Sequence, residues 1–517
     1  MGLSVLLQRI VAKNHMAWCA ALGGRDRILS AMTNTPMTKI TGTSSPIKFG
    51  TSGWRGLIAD DFTFATVRLA VRAIAEHLKS KKNEPTVLVG YDTRFYSEEF
   101  SALAVEVLQQ YGIRTMLCET FTPTPAIAYE IQRGKLDGAI NFTASHNPSQ
   151  YHGLKFSGAD AGPALPEVTK DIEARVVAIL GKDAPPLQEP APGEKKNLGE
   201  TVNLQANYLK RLNELVRFDV IQKAKLKIVA DALHGCGAGY LDKSLADHGI
   251  AVTARRVNRD CLFGGTGPDV SEENLAELGA AVKQTGAQVG LATDGDADRF
   301  GIVDADGTWI QPNLILALIY DYLVESRGWK MPTARSVATT QMMDAMAKLH
   351  GQTTYQTPVG FKYIGQLIRE DKIALGGEES AGMSIRGHVP EKDGVLACLL
   401  VAEMTAGRGA TIGEQLRAAF KKLGREFHPT RENLHLSDEQ KAKAVKKAAV
   451  DASTLLGRKV VSVDRTDGAK FVFEDGSWML LRLSGTEPLL RLYVEAKSAA
   501  ATKKLVDEAS NWILKDE

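Results

Sequence analysis

A chain of 517 residues is too long for one hydrophobic core, and at roughly 150 residues per domain it sets an expectation of about 3 to 4 domains. Its composition, 44% hydrophobic, 24% charged and 7% aromatic, is ordinary for a globular chain. Lys and Arg (63) nearly balance Asp and Glu (61) and are interspersed with them, which leaves no polybasic footprint for nucleic acid or an anionic membrane.

Residues 1–45 carry Arg9, Lys13, Arg25, Arg27 and Lys39 against Asp26 alone, without the apolar run or cleavage pattern of a secretory signal. Leu6 stands where a myristoylation motif needs Ser or Thr. We expect an extension outside the fold rather than an organelle address, with globular sequence from Pro46. From Thr86 a β-branched run, a polar loop (Gly90 to Ser97), a helical period through Leu103, Val107 and Leu108, and a second apolar run at Arg114–Cys118 read as a βαβ unit. Comparable units follow Lys227 and Arg335. Strands alternating with helices predict parallel sheets covered on both faces, with functional loops beyond the carboxyl ends of the strands. The longest apolar stretch, Leu314 to Val324, is broken by Asp321 and falls short of the roughly 20 residues of a bilayer span. Five dispersed cysteines (Cys19, Cys118, Cys236, Cys261, Cys398) suit neither a disulfide framework nor a thiolate metal site, and predict a reducing cytoplasm.

The last part of the chain differs, with short strands at Lys459–Val463, Lys470–Phe473 and Trp478–Leu483 joined by Asp-Gly turns, then Leu490–Glu495 and a helix. The fold class expected is therefore α/β: three tandem doubly wound α/β domains and a smaller C-terminal α+β domain. Linkers are read at Ala184–Gly193 and Glu426–Leu436, and a third boundary at Asp304–Gly307, a turn that equally well closes a hairpin. The expected division is an extension (1–45) and domains over 46–190, 191–305, 306–428 and 429–517.

Four loops carry chemistry. T-A-S-H-N-P, Thr143–Pro148, follows the apolar strand Gly138-Ala-Ile-Asn-Phe, where a parallel sheet places its site; alone it also fits an Asn-Pro turn with a capping serine. D-G-D-A-D-R, Asp294–Arg299, can aim three carboxylates at one point, since alternate residues of an extended loop share a side. Hard oxygen donors without His or Cys favour Mg²⁺, and Arg299 and Ala305 at the sixth and twelfth positions exclude an EF-hand calcium loop. The bland alternative is a solvated acidic turn. G-G-E-E-S-A-G, Gly376–Gly382, offers acceptors and a donor for sugar hydroxyls, or the start of a helix. R-L-S-G-T-E-P, Arg482–Pro488, with Arg491 beyond it, offers hydroxyls, backbone N–H groups and guanidinium forks for a phosphate, or is a strand turn with an incidental arginine. H-G-C-G-A-G-Y, His234–Tyr240, lacks the acid and the last small residue of a dinucleotide loop and reads as a tight strand-to-helix turn.

These four loops, in this order and preceded by F-G-T-S-G-W-R-G at Phe49–Gly56, resemble the α-D-phosphohexomutase family from about Pro46 onward. The resemblance implies the four domains arranged around a central cleft and an intramolecular phosphotransferase that interconverts hexose 1- and 6-phosphates through a hexose 1,6-bisphosphate, which also serves as activator. It implies that Ser145 carries the phosphoryl group and, with Asp294, Asp296 and Asp298, holds Mg²⁺. Arg55, His146 and Lys155 match positions near that serine, Lys155 as a candidate for proton transfer. Glu378 and Ser380 match the grip on sugar hydroxyls. Arg482, Ser484, Gly485, Thr486 and Arg491 match the loop for the substrate's own phosphate, and Arg299, Lys362 and Lys392 match further substrate contacts. G-E-E-S-A-G is similar to glucose-preferring members, whereas mannose and glucosamine members carry Gly-His where this chain has Ala381-Gly382. A glucose enzyme is expected; a phosphomannomutase, a dual-specificity mutase, a bisphosphate synthase and a silent sugar-phosphate binder are the alternatives. The partners implied are small hexose phosphates, with no nucleic acid and no membrane.

Overall fold

The computed structural model describes residues 45–181, 199–483 and 489–515. The expected extension, apart from Ser45, the linker Ala184–Gly193 and the residues Ser484, Gly485 and Thr486 lie outside the described residues.

The first sheet contains β1 (Trp54–Leu57), β2 (Thr86–Tyr91), β3 (Arg114–Cys118), β4 (Gly138–Phe142), β5 (Tyr151–Gly158) and β6 (Glu200–Val202), in the order β1-β5-β4-β2-β3-β6. Strands β2, β3, β4 and β6 run parallel, while β5 and β1 add antiparallel at one edge. β6 bonds to β3, so the first sheet draws in residues beyond 190, where the sequence placed a boundary. The second sheet, β7 (Lys227–Asp231), β8 (Ala251–Arg255), β9 (Val289–Thr293), β10 (Phe300–Asp304) and β11 (Trp309–Ile310), has the order β11-β10-β9-β7-β8. Asp304–Gly307 closes the β10–β11 hairpin, the Gly307 N–H donating to the Asp304 carbonyl. The third sheet is β12 (Thr333–Ser336), β13 (Thr354–Thr357), β14 (Leu375–Glu378) and β15 (Gly382–Ile385), ordered β13-β12-β14-β15. Each of the three has the expected parallel core, which ends in antiparallel strands that return from a loop at the carboxyl edge.

The C-terminal sheet is antiparallel throughout: β16 (His428–His435), β17 (Thr454–Leu455), β18 (Arg458–Asp464), β19 (Ala469–Phe473), β20 (Trp478–Leu483) and β21 (Leu489–Ala496), ordered β16-β21-β20-β19-β18-β17. The linker read at Glu426–Leu436 is instead mostly strand, since β16 pairs with β21 over eight residues. Its sequence, HPTRENLH, lacks a clean apolar alternation because it lies at an edge with one strand neighbour.

The helix Gly394–Arg408 is buried nearly all round and explains the tight union of the second and third units. Its side chains join one continuous apolar core that includes Leu291 and Ile302 of the second sheet and Leu375 and Met383 of the third. A Cβ on Gly394 would lie 2.1 Å from the Arg299 carbonyl, so glycine lets this helix start against the Asp294–Arg299 loop. No single helix among the described residues is long and apolar enough to cross a membrane.

Candidate active site

The loop after β4 and the loop after β9 meet. The Ser145 hydroxyl donates to Asp294 Oδ2 at 2.7 Å, and both residues are buried. Ser145 sits at φ 51°, a left-handed conformation that costs a non-glycine residue on the order of 1 kcal/mol and persists where its surroundings over-determine it. Arg94 supplies that constraint. Its fully buried guanidinium donates to the carbonyls of Ser145, Asn147, Pro148 and Tyr151 at 2.6–3.0 Å, while Asp92 holds its Nε at 3.1 Å. A Cβ on Gly295 would meet the Ser145 carbonyl at 2.6 Å, so the glycine within the aspartate loop is the condition for the two loops to touch. The turn at His234–Tyr240 is tight as expected and packs behind the same loop: the Cys236 N–H donates to the Gly295 carbonyl, and a Cβ on Gly237 would collide with Thr293.

Asp294, Asp296 and Asp298 bring carboxylate oxygens within 4.8 Å of one another, all buried. Burial and the two neighbouring carboxylates push Asp294 well above its ordinary range. Asp298 goes the other way: burial would raise it, but Lys155, Lys392 and Arg299 outweigh burial and hold it far down. Lys155 Nζ bridges Asp296 Oδ2 (2.6 Å) and Asp298 Oδ2 (2.7 Å), Lys392 Nζ donates to Asp298 Oδ2, and Thr124 Oγ1 donates to Asp296 Oδ2 at 2.5 Å. Despite burial, those carboxylates raise Lys155 above the ordinary lysine value. The Oδ1 atoms of Asp296 and Asp298 are buried without a hydrogen-bond partner.

Arg55 and Arg299 form the positive side of the serine, with His146 between them in sequence. Arg55 Nη1 donates to Asn147 Oδ1 at 2.7 Å; the Arg299 guanidinium lies 3.8 Å from Asp269, and its backbone N–H donates to Asp294 Oδ1. Burial, followed by repulsion from Arg299 and Arg55, keeps the His146 ring neutral, and its Nδ1 is buried without a partner.

On the third sheet, Glu378 Oε1 accepts from the Gly360 N–H at 2.7 Å, and burial followed by the Glu379 charge raises Glu378 to about 7. Glu379 faces away from it, toward Ser336 and Thr339, and Ser380 is partly exposed at the loop. His388, the remaining histidine near this loop, is committed elsewhere: its Nε2 lies 2.7 Å from Asp393 Oδ2, which also accepts from Tyr208. On the fourth sheet, Arg482 of β20 stands directly opposite Arg491 of β21. Arg482 and Lys362 line a cavity of about 500 Å³ shared with Thr51, Thr169, Pro358 and Asp467, so three of the four units enclose it. A narrow second cavity continues past Thr51–Gly53 to Lys155 and Glu391.

Sequence reasoning thus named most of what converges here but missed Arg94, Thr124 and Asp467. The available signal for Arg94 was the Asp92-Thr-Arg94 triplet in a loop at the carboxyl end of β2.

A serine seated on a carboxylate cluster and flanked by arginines, with Arg482 and Lys362 lining a cavity beyond Thr51, is a site for moving phosphoryl groups on a phosphorylated sugar. Comparison with known proteins gives the same class. Family models described as phosphoglucomutase/phosphomannomutase alpha/beta/alpha domains I, II and III and C-terminal domain match residues 46–180, 206–307, 311–423 and 432–511. The phosphoglucomutase/phosphomannomutase of Thermococcus kodakarensis is 30% identical over 89% of this chain and 96% of its own. A probable phosphoglucosamine mutase of Methanosphaera stadtmanae is 29% identical over 91% of this chain and all of its own. The crystal structure of a putative phosphomannomutase from Thermus thermophilus superposes with a TM-score of 0.78 at 31% identity, covering 91% of this chain and 99% of the other. The chain belongs to the phosphoglucomutase/phosphomannomutase family and is a phosphotransferase isomerase, a phosphohexomutase.

Proposed function

We propose that this phosphohexomutase interconverts glucose 1-phosphate and glucose 6-phosphate, with Ser145 carrying the phosphoryl group between turnovers. The observation that carries the reading is the 2.7 Å hydrogen bond from Ser145 to Asp294, because it joins a hydroxyl from one sheet to a buried carboxylate cluster on another. That cluster fits a magnesium ion: its donors are all hard carboxylate oxygens, and the unpartnered Oδ1 atoms of Asp296 and Asp298 need a cation. Asp294, Asp296, Asp298 and the Ser145 oxygen would hold it. When bound, it supplies the positive charge that lets a sugar hydroxyl approach a phosphoserine bearing about −1.5 to −2 charges.

The chain's own residues supply the rest. Arg55 and Arg299 offset charge on the serine side, and Lys155 and Lys392 pair with Asp298. Arg482 and Arg491 anchor the substrate's own phosphate, leaving the sugar to span the cavities toward Ser145. Glu378 accepts from sugar hydroxyls. Ser145 gives its phosphoryl group to the free hydroxyl, the hexose 1,6-bisphosphate turns end for end, and the phosphate first brought in returns to Ser145. A trace of the bisphosphate therefore activates enzyme that has lost its phosphate.

Glucose is favoured by the space around Gly382. A Cβ there would lie 2.2 Å from Lys392 Cδ, so Lys392 occupies the volume into which a residue-382 histidine would project. His388, bound to Asp393, does not replace it. Intact-mass measurement tests the carrier: incubation with glucose 1,6-bisphosphate is expected to add one phosphoryl group to the wild type and none to Ser145→Ala, which also loses turnover. A panel of glucose, mannose and glucosamine 1-phosphates tests the sugar, and a preference for mannose would overturn the glucose assignment.

A further inference from the structure

Arg482, assigned above to the substrate's distal phosphate, does not stand alone. Its Nε donates to Asp467 Oδ2 at 2.9 Å, and that same oxygen accepts the Val359 N–H at 3.0 Å. Val359 belongs to the third unit; the next residue, Gly360, donates its N–H to Glu378 Oε1 at 2.7 Å. A single carboxylate of the β18–β19 turn thus ties the phosphate-side arginine to the two-residue segment that holds the sugar-side carboxylate. The Asp467 side chain is 26% exposed and lies in the wall of the cavity that Arg482 and Lys362 line, so it is neither a core residue nor a remote surface one. A Cβ on Gly360 would approach Thr51 to 2.9 Å, so the first unit bears on the same segment.

We propose that Asp467 is a positioning residue that couples the distal-phosphate anchor to the sugar-binding loop. By engaging Nε, it turns the two terminal nitrogens of Arg482 toward the cavity, the edge that a phosphate takes in a forked contact. By engaging Val359, it keeps the fourth unit seated on the peptide behind Glu378. The consequence is directional: the carboxylate does not touch the sugar, and its loss weakens binding of both ends of the substrate without removing a reacting group.

This inference rests on Arg482 as the anchor, and the test separates the two. KM and kcat for glucose 1-phosphate are measured for wild type, Arg482→Ala, Asp467→Ala and Asp467→Asn, each saturated with Mg²⁺ and glucose 1,6-bisphosphate. Asp467→Ala is expected to raise KM about tenfold with kcat changed less than about threefold, and Asp467→Asn, which keeps an acceptor for Val359, to recover part of that loss. In combination with Glu378→Gln, the rise in KM should fall at least about threefold short of the product of the single effects, the sign of residues acting through one network. An unchanged KM in Arg482→Ala sinks the anchor. A raised KM in Arg482→Ala with wild-type values in Asp467→Ala, or strictly multiplicative effects with Glu378→Gln, overturns the coupling while leaving the anchor in place.

Discussion

Replacing Lys155 with methionine sets the lysines of the site against its metal. In the structure, Lys155 bridges Asp296 and Asp298 at 2.6 and 2.7 Å with an 8% exposed side chain. Removing it keeps the apolar stem and leaves three buried carboxylates facing Lys392 as the remaining ammonium in direct contact. Breaking a buried ion pair by deleting one partner costs about 3–5 kcal/mol, because the other charge stays desolvated. Taking the lower figure, and about 2–4 °C per kcal/mol for a unit of this size, the apparent melting temperature in EDTA should fall by at least about 6 °C. A divalent cation reverses the sign. It no longer shares the same carboxylates with an ammonium, so Mg²⁺ should bind the variant at least about tenfold more tightly, equivalent to about 1.4 kcal/mol. Differential scanning fluorimetry in EDTA and across a Mg²⁺ titration, with calorimetric Kd values, measures both. Equal melting temperatures in EDTA, or equal Mg²⁺-induced shifts in the two proteins, would refute the competition between Lys155 and the metal.

Two further substitutions test the sugar loop. Glu378 is raised by burial and by Glu379 from 4.5 to about 7, so its folded form binds a proton better than its unfolded form; the associated stability is full below 4.5 and is lost as pH rises through 7. The difference corresponds to an upper bound of about 3 kcal/mol, so Glu378→Gln should melt progressively higher than wild type between pH 5 and pH 8, and a pH-independent difference would contradict it. Gly382→His should push Lys392 off Asp298 and lower turnover on every sugar phosphate without conferring mannose activity; full activity in Gly382→His would show that the two side chains do not share that space.

The acidic and hydroxyl-bearing parts of the site were legible in the sequence, whereas the partners that orient them were less so. Three aspartates at alternate positions declare themselves because they have no use in a core, whereas the serine after an apolar strand stands out only beside the other loops of the family pattern. Arg94 and Asp467 do not, since arginine in a polar loop and aspartate in a D-G turn are what any surface contains. Their roles come from carbonyls and N–H groups 54 and 108 positions away, which no local pattern encodes. The same limit governs the strand His428–His435, whose membership in the sheet is decided by the free edge of β21 rather than by its own apolar content.

What the motifs hid is that each is completed by the next unit. Ser145 of the first sheet is bonded to Asp294 of the second, Asp298 of the second is held by Lys392 of the third, and Val359 of the third is held by Asp467 of the fourth. No unit contains a whole site, so activity depends on the angles between sheets as much as on any side chain. Under the mechanism proposed above, that arrangement suits a reaction in which one phosphate stays fixed while the other is exchanged and the intermediate turns between them. The fourth unit meets the third through a small apolar cluster, Val337 and Ala338 against Trp478, Leu480 and Tyr493, and through single carboxylates such as Asp467. Buried groups reinforce that seam, Lys470 donating to the Val337 carbonyl and Glu495 accepting from Thr340 and the Gln341 N–H, so the orientation of Arg482 is set by the contact between the two units.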